Sequence, residues 1–588
     1  MKRIPVPLVA IVSALLLGST ASAQVTGATG QSARPGAPSG AQAPGMPARD
    51  GRTPTQTGTA RLRGRVVAAL TGAPLRRAQV TLFGAEGQVR RSATTDGDGR
   101  YEFADLPSGR FSMTANKSGY VALQYGQRRP LEAGTQVTIG EGERLEHIDF
   151  SLPRGAVISV RINDDFGDPL AGAQVQVQRY QYGPDGQRRL SSVASGSPFP
   201  SATDDRGEFR AYGLMPGEYV VSASYRNQIA ALGGNPNDAA EGFAPTFYPG
   251  TVNAAEAQAV SVALGEEASV QFSLAAARLA RISGTVVDSE GRPAVGAQLQ
   301  IMTRQGNGAS SNGGGTVAAD GTFLISGVPP GEHSVEVRPQ FRPGMTGGEF
   351  GSAPIVVSGG DISGIRIVTS RGATISGRVV FEGTSPRSEA GSPLRVLLSP
   401  VDPSRASFAF PLNDPAVNGT LDDNGRFQIA GASGRIFLTL STPPPWMLKS
   451  VTLEGEDITD EPLDLTGKQS VSGVVIRMTD RATLISGQVT DTRGQVVRDS
   501  VVVILPADAK QDPFVAARWI RTARPDSSGR FQSRGMRPGP YVATAIESLE
   551  PGRQFSPEFQ EQLRRSAREF SVREGESRTL DLKLTTGL

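Results

Sequence analysis

Hydrophobic residues recur at every second position in short runs along most of the chain. One such run places Ile148, Phe150 and Leu152 on one face, with polar residues between them, and runs at 270–274 and 580–584 repeat the arrangement. Because successive side chains of a strand point to opposite faces, this period predicts strands with one buried face. Glycine- and proline-rich segments separate the runs, so we expect short strands joined by tight turns.

One phrase recurs five times along the chain. It consists of Asp-x-x-Gly, an aromatic residue, an apolar stretch, a glycine turn that usually contains proline, and a second aromatic or apolar residue. Its first and last glycines lie ten residues apart in four copies and nine in the other. A unit that repeats at intervals of about a hundred residues indicates one small domain copied in series. The copies are DGDGRYEFADLPSGRF, DDRGEFRAYGLMPGEY, AADGTFLISGVPPGEH, DDNGRFQIAGASGRI and DSSGRFQSRGMRPGPY, from residues 96, 204, 318, 422 and 526.

The Asp-x-x-Gly step predicts a hairpin turn. The aspartate can accept a hydrogen bond from the backbone two residues on, and the glycine tolerates a positive φ. We expect the following aromatic residue to start a strand and to point into a core. The alternative is a calcium loop, since Asp96 and Asp98 supply oxygen atoms, but no twelve-residue EF-hand loop ending in glutamate is present. We therefore favour structural turns.

An opening strand pair precedes each phrase and a closing strand follows it. About seven short strands per unit predict an all-β protein built as a tandem array of five small antiparallel β-sandwiches. Only one segment favours a helix: Ser556 can cap it, Pro557 suits its first turn, and Arg564, Arg565 and Arg568 come late. We number the sandwiches as units one to five and place them at residues 60–153, 154–278, 279–371, 372–481 and 482–588.

The first residues predict export by the general secretory route. Lys2 and Arg3 precede an apolar run at 8–17, and Ala21-Ser22-Ala23 has the small-x-small cleavage pattern, so 1–23 is interpreted as a signal peptide. Residues 24–59 are rich in Pro, Gly, Ala and Ser, and we expect a disordered spacer there. No later apolar run is long enough for a membrane span.

Composition narrows the function classes. The chain contains 71 Gly and 42 Pro, which suits many turns, and it has no cysteine, which excludes disulfides and thiolate chemistry. Sixty basic residues against 57 acidic ones give a net charge of +3, so nucleic acid is not expected as a partner.

The units resemble the carboxypeptidase regulatory-like domain. The resemblance rests on the Gly-x-Val…Gly-x-Pro-x-x-Ala-x-Val opening followed by Asp-x-x-Gly-x-Phe…Pro-Gly-x-Tyr. Units one, three and five match well, unit two lacks the opening glycine, and unit four replaces the Pro-Gly turn by Ala-Ser-Gly. The resemblance implies a transthyretin-like sandwich of the carbohydrate-binding-like kind in a secreted bacterial protein. It transfers no catalytic residue.

The sequence predicts no catalytic, cofactor-binding or metal residue. His333-Ser334-Val335-Glu336 fits the short zinc motif of carboxypeptidases, but the only other histidine, His147, lies upstream in another unit. A catalytic zinc normally has three protein ligands. No nucleophile elbow and no phosphate-binding loop are present.

We therefore expect a non-enzymatic, exported binding or scaffold protein located in the periplasm, at the cell surface or outside the cell. A glycan is the first candidate partner, with exposed aromatic residues as its platform. The alternatives are a structural or protein-binding stalk that offers β-edges or loops to an envelope protein, and an accessory to a peptidase. The sequence leaves the oligomeric state open. The candidate platform residues are Tyr180, Tyr182, Phe247, Tyr248, Trp446 and Trp519.

Overall fold

The fold is all-β and repeats one sandwich plan five times. The computed structural model describes residues 58–84, 90–127, 130, 134–193, 202–225, 241–305, 308–338, 348–386, 394–401, 419–442, 446–508, 512–526 and 528–587. The predicted signal peptide, and the predicted spacer up to residue 57, lie outside these ranges. None of the described helices is long and apolar enough to cross a membrane.

Unit one shows the plan. One sheet contains β4, β1 and β8, with β9 also beside β1, and the facing sheet has the order β3-β2-β5-β6, with β7 beside β5. Buried and exposed residues alternate along β1 and β4, as the sequence period predicts. The strands are β1 Ala60–Ala68, β2 Gln79–Gly84, β3 Arg90–Thr94, β4 Arg100–Leu106, β5 Gly109–Asn116, β6 Leu123–Gln124, β7 Val137–Ile139, β8 Arg144–Leu145 and β9 Phe150–Leu152.

Units two and three follow the same plan. Their first sheets have the orders β13-β10-β18 and β23-β20-β26. The strands of unit two are β10 Ala156–Asn163, β11 Gln174–Tyr182, β12 Arg188–Ser192, β13 Glu208–Leu214, β14 Gly217–Ser224, β15 Glu241–Phe243, β16 Thr246–Phe247, β17 Val260–Val262, β18 Glu267–Ser273 and β19 Ala276–Arg278, with a 3₁₀ helix at Ala254–Glu256. Those of unit three are β20 Ala280–Val287, β21 Gln298–Gln305, β22 Gly308–Thr316, β23 Thr322–Val328, β24 Gly331–Arg338, β25 Gly351–Val357 and β26 Ile362–Val368.

Units four and five carry additions to the plan. Unit four has the sheets β29-β27-β34-β31-β32 and β28-β30-β33, whereas in unit five β42 pairs with both β35 and β39 and joins the two sheets. The strands of unit four are β27 Ala373–Glu382, β28 Arg395–Pro400, β29 Arg426–Ala432, β30 Arg435–Ser441, β31 Met447–Leu453, β32 Glu456–Asp457, β33 Leu463–Asp464 and β34 Ser470–Thr479. Unit five contains β35 Leu484–Thr490, β36 Val501–Pro506, α1 Pro513–Trp519, β37 Arg521–Ala523, β38 Arg530–Arg534, β39 Gly539–Ile546, a 3₁₀ helix at Arg553–Phe555, α2 Pro557–Ser566, β40 Arg568–Val572, β41 Ser577–Thr579 and β42 Leu582–Thr585.

The opening and closing strands of every unit run parallel, whereas most of the other strand pairs are antiparallel. The opening and closing pairs are β1–β9, β10–β18, β20–β26, β27–β34 and β35–β42. Further parallel pairs are β1–β8, β35–β41 and β39–β42. With this pairing the chain enters a unit at one end of the sheet and leaves it at the other, where the next unit can begin. The predicted unit boundaries remain a prediction, and among the described residues every strand pairs within its predicted unit.

The opening strands of units one, three, four and five share a glycine that unit two lacks. A Cβ at Gly64, Gly284, Gly377 or Gly487 would collide with a carbonyl oxygen of the closing strand, which bulges towards the glycine. Unit two has Val160 at this position, opposite Phe209, and its closing strand pairs from Glu267 to Ser273 without a register shift. Unit two does not need the glycine, because its closing strand pairs regularly and does not bulge towards this position.

Helix α2 explains the continuous apolar run in β36. Residues of β36 are buried on both faces, because one face lies in the sandwich core and the other packs beneath Phe559 and Leu563 of α2. Ser556 caps α2 and Pro557 opens it, as predicted, whereas Arg568 lies beyond the helix at the start of β40. Helix α1 was not predicted, although its Asp-Pro start (Asp512 caps it) is a recognisable signal.

Candidate functional site

The aspartates of the repeated phrase hold turns. Oδ1 of each accepts hydrogen bonds from the backbone N–H groups two and four residues on, at 2.7–3.0 Å, in units one, two, four and five. The glycine of each turn has a φ between 71° and 84°. The turn prediction is confirmed in all of these copies, for Asp96, Asp204, Asp422 and Asp526.

Unit three uses a different aspartate for the same purpose. Alanine occupies the first position of its phrase, and Asp320 instead accepts hydrogen bonds from the hydroxyl and the N–H of Thr322, at 2.7 and 2.9 Å. The hydroxyl, followed by the N–H, lowers the pKa of Asp320. The opening turns of units two, three and five repeat the Asp-x-x-Gly device with Asp164, Asp288 and Asp491.

His333 occupies a structural position rather than a metal site. It is 5% exposed, its Nε2 lies 2.8 Å from the carbonyl oxygen of Pro329, and its Nδ1 lies 2.7 Å from Oγ1 of Thr303. Since a carbonyl only accepts, Nε2 carries the proton and Nδ1 accepts from the Thr303 hydroxyl. Burial lowers the pKa of His333, although its hydrogen bond to Pro329 acts in the opposite direction.

Tyrosines make the equivalent contact in units two and five. The hydroxyl of Tyr219 donates to the carbonyl of Met215 at 2.6 Å, and that of Tyr541 donates to Arg537 at 2.9 Å. In each case the acceptor lies four residues upstream, across the Pro-Gly turn. In units two, three and five, the side chain at the second aromatic position of the phrase therefore ties its own turn to the core.

The described residues contain no group of three or more His, Asp and Glu side chains arranged to hold a metal ion. His147, the other histidine, is exposed on the bulge of the closing strand of unit one, with a φ of 63°. It therefore lies in a different unit from His333.

Of the six aromatic residues of the predicted platform, Tyr180 is exposed, whereas Tyr182 is half-buried. Tyr180 is 37% exposed, the guanidinium of Arg188 lies 4.2 Å from its ring centre, and its hydroxyl donates to Ala254 at 3.4 Å. Tyr182 lies two residues on, at the end of β11. Its backbone packs against Gly552 of unit five, where a Cβ would lie 2.9 Å from the Tyr182 carbonyl oxygen.

Phe247 and Tyr248 are half-buried against unit two itself. Phe247 pairs with Ser222 of β14, and the Tyr248 ring lies edge-on to Phe272, with the ring centres 6.1 Å apart. Both residues therefore pack against their own sandwich.

The two tryptophans do not offer a stacking face. Trp446 is 6% exposed, packs edge-on to Phe381 and donates from Nε1 to the carbonyl of Pro386 at 2.9 Å. Trp519 is 8% exposed and donates to Oδ1 of Asp460 at 2.8 Å. A stacked ligand needs an exposed ring, so this part of the predicted platform is buried by the contacts that the tryptophans make.

The contact of Trp519 belongs to a junction between units four and five. Next to it, Arg518 donates to the carbonyl of Thr459 at 2.6 Å and lies 4.1 Å from the ring centre of Phe437. Asp460 also forms an ion pair with Arg537. Burial lowers the pKa of Arg518 to about 10. Sequence reasoning missed this junction, because its two halves are about sixty residues apart in sequence and no local pattern connects them.

Two cavities lie at the turns of the described sandwiches. One of about 430 Å³ in unit one is lined by Arg76, Arg77, Thr95, Asp96 and Gly97. The other, of about 620 Å³, lies in unit four around β27 and β29. Both are open to solvent, and polar and apolar atoms contribute to the lining of each.

Solved structures share only a distant likeness with this chain. The TIE protein of Bacillus anthracis has 14% identity and a TM-score of 0.15, covering 54% of this chain and 51% of its own. The minor pilin GBS52 of Streptococcus agalactiae has 15% identity, coverage of 37% and 95%, and a TM-score of 0.21. A putative carbohydrate binding protein of Pseudomonas aeruginosa has 17% identity, coverage of 16% and 89%, and a TM-score of 0.12. At such TM-scores none of these structures informs the function of this chain. The chain spans about half the length of the TIE protein.

The family comparison agrees with the repeated phrase. No curated protein matches the chain. The model of the carboxypeptidase regulatory-like domain matches residues 61–153 and 281–368, which coincide with units one and three. Units two, four and five lie outside the matched ranges. Units one and three of this protein are carboxypeptidase regulatory-like domains.

Proposed function

We propose that this chain is a non-enzymatic binding or scaffold protein of the bacterial envelope, exported by the general secretory route, with carbohydrate as its first ligand class. Its five sandwiches present loops and sheet faces to a partner and carry out no bond-making chemistry. The regulatory-like domains in units one and three are a non-catalytic kind of domain, which supports this role.

The main support for the proposal is that the residues able to carry out acid–base chemistry already make structural contacts within the fold. The aspartates of the repeated phrase accept backbone hydrogen bonds within their own turns. Both ring nitrogens of His333 are engaged with Thr303 and Pro329. An acid–base catalyst needs a group that can reach a substrate proton, and these groups are directed into the protein instead.

Carbohydrate is preferred because unit two combines an accessible aromatic ring with a cation. Tyr180 is partly exposed, with the guanidinium of Arg188 over one face of its ring, and Tyr182 follows on the same strand. Aromatic rings offer apolar faces while their hydroxyl groups hydrogen-bond, which suits a ligand with both kinds of surface.

A glycan array with residues 24–588 tests this proposal. We expect retention of a limited set of glycans, reduced in a Tyr180→Ala variant and unchanged in a Trp446→Phe variant that keeps its fold. Failure to bind any glycan at micromolar protein concentration would remove carbohydrate as the ligand class.

A specific observation also favours a second function, binding of an extended peptide at a sheet edge. Strand β22 forms one edge of the sheet β22-β21-β24-β25 in unit three. Its sequence, GASSNGGGT, has neither charge nor proline, the residues that usually protect an edge from pairing with another chain. Such an edge can accept an added strand.

A library of extended peptides distinguishes this function from the first. Retention by the unmodified protein, lost in a Ser310→Lys plus Asn312→Lys variant, would favour peptide binding when the glycan array is blank. Equal retention by both proteins would reject the β22 edge.

A further inference from the structure

Two arginines face each other across neighbouring strands of unit four. Arg378 of β27 lies directly opposite Arg426 of β29, and both are exposed on the outer face of the sheet. Like charges in directly opposite positions destabilise a strand pair. Among the described residues, neither guanidinium forms an ion pair that would offset this repulsion.

The equivalent positions of the other units avoid the conflict. Unit one also places two arginines opposite each other, but Arg65 donates to the carbonyl of Asp98 at 2.8 Å and Arg100 pairs with its carboxylate at 3.4 Å. Unit two has the opposite charges of Arg161 and Glu208. Units three and five carry Thr285 opposite Thr322 and Gln488 opposite Arg530. The uncompensated pair is thus peculiar to unit four.

The arginine pair borders the larger cavity. This cavity has a volume of about 620 Å³, within the range typical of ligand sites. The closing strand bulges beside it, with a register shift against β27 and a φ of 81° at Gly473. Ser376, Thr420 and Gln428 contribute hydroxyl and amide groups to the lining. Gly377, Phe427 and residues 473–475 complete it.

Asp422 is the single acid among the lining residues, and its carboxylate is engaged by the backbone of its own turn. Its Oδ1 accepts hydrogen bonds from the backbone N–H groups of Asn424 and Arg426, at 2.9 and 2.7 Å. The two guanidinium groups and the one carboxylate give the cavity lining a net positive charge.

We propose that this face of unit four binds an anionic ligand through Arg378 and Arg426, and that the ligand is an acidic saccharide. A guanidinium pairs with a carboxylate or phosphate in a planar, two-point geometry, which fits a group held between two arginines. Ser376, Thr420 and Gln428 then accept from and donate to the sugar hydroxyl groups. The inference rests on the proposed carbohydrate binding. It places the binding site in unit four and restricts the ligand to a negatively charged saccharide.

Isothermal titration of residues 24–588 at low salt tests the site, with three probes. Oligogalacturonate presents carboxylates, an uncharged galactose oligomer lacks them, and inorganic phosphate presents the anion without the sugar. We expect oligogalacturonate to bind, the uncharged oligomer to fail, and Arg378→Gln or Arg426→Gln to weaken binding by roughly tenfold or more. Arg65→Gln plus Arg100→Gln in unit one is the matched control and should leave binding unchanged.

A second measurement needs no ligand. Because removal of one arginine relieves the cross-strand repulsion, Arg426→Gln should leave the melting temperature of unit four unchanged or slightly raised. A marked fall would show that the pair is satisfied within the protein and would overturn the inference.

The outcomes separate this inference from the proposed function. Phosphate binding equal to that of oligogalacturonate, and lost in the same variants, would assign the site to the anion without the sugar. Absence of binding to both anions, or binding indifferent to the two arginines, would overturn the site. Retention of uncharged glycans on the array in that case would leave carbohydrate binding itself intact.

Discussion

At the scale of single residues, the same side-chain types recur because the turns require them. Gly99 closes the Asp-x-x-Gly turn of the first phrase with a φ of 74°, and a Cβ there would lie 2.6 Å from the carbonyl oxygen of Val66. Gly97 lies two residues earlier in the same turn, has ordinary backbone angles and has open space around it. One turn therefore contains a constrained glycine and an unconstrained one.

This contrast gives the first prediction. Gly99→Val forces a β-branched residue to a positive φ and against a backbone carbonyl, so it should destabilise unit one by about 1–3 kcal/mol or more. Gly97→Val, the matched control, should change stability by less than about 0.5 kcal/mol. Hydrogen exchange of the amides in β1 measures both, and equal effects of the two substitutions would contradict the assignment of the turn.

His333 gives a prediction of pH dependence. Its pKa is lowered in the folded state by burial, so the unfolded chain binds the proton more tightly. Stability should therefore be full above the ordinary histidine pKa of about 6.5 and should fall as the pH drops below it. Hydrogen exchange of the β24 amides, measured between about pH 5 and 8, reports this loss of stability.

A tyrosine substitution provides the control. His333→Tyr places at this position the residue that units two and five use for the same hydrogen bond, and it should abolish the loss of unit-three stability at low pH. His147→Ala, in unit one, should leave that loss unchanged. If His333→Tyr retained the same pH dependence, another group would be responsible.

At the scale of elements, helix α1 connects two units. Trp519 and Arg518 carry contacts to Asp460, Thr459 and Phe437 of unit four. Buried tryptophan and arginine residues are the types that contribute most at protein interfaces. The junction should therefore couple the stabilities of the two units.

Trp519→Ala tests the coupling. It should lower the protection of β34 amides in unit four by an amount equivalent to about 0.5–3 kcal/mol, although the substitution lies in unit five. Phe559→Ala of α2 is the control, since it weakens the core of unit five beneath α2 without touching unit four. Unchanged protection of β34 in the Trp519→Ala protein would show that the junction contributes little.

Local signals in the sequence were sufficient for the strands, the Asp-x-x-Gly turns and helix α2. Alternation marks a buried face, and Ser556-Pro557 marks a helix start without reference to the rest of the chain. They were insufficient for Trp519, Arg518 and His333, whose roles depend on residues brought together by the fold. To predict that Arg378 lies opposite Arg426 one likewise needs the register of their two strands, since the residues are 48 positions apart in sequence.

At the scale of the whole molecule, the turns predict a weak response to calcium. The Oδ1 atoms of Asp96, Asp204, Asp422 and Asp526 already accept two backbone hydrogen bonds each. Millimolar calcium should therefore shift the melting temperature of the intact protein little relative to a chelator. An increase of many degrees would mean that these loops bind the metal, since a ligand that binds only the folded state stabilises it.

The measurement that tests the non-enzymatic role most directly is hydrolysis of a peptide library by residues 24–588, followed by mass spectrometry with and without added zinc. The histidines lie in different units and His333 is fully hydrogen-bonded, so we expect no cleavage in either condition. The double variant His147→Ala plus His333→Ala should behave identically. Zinc-dependent release of C-terminal residues that disappears in His333→Ala would contradict this role.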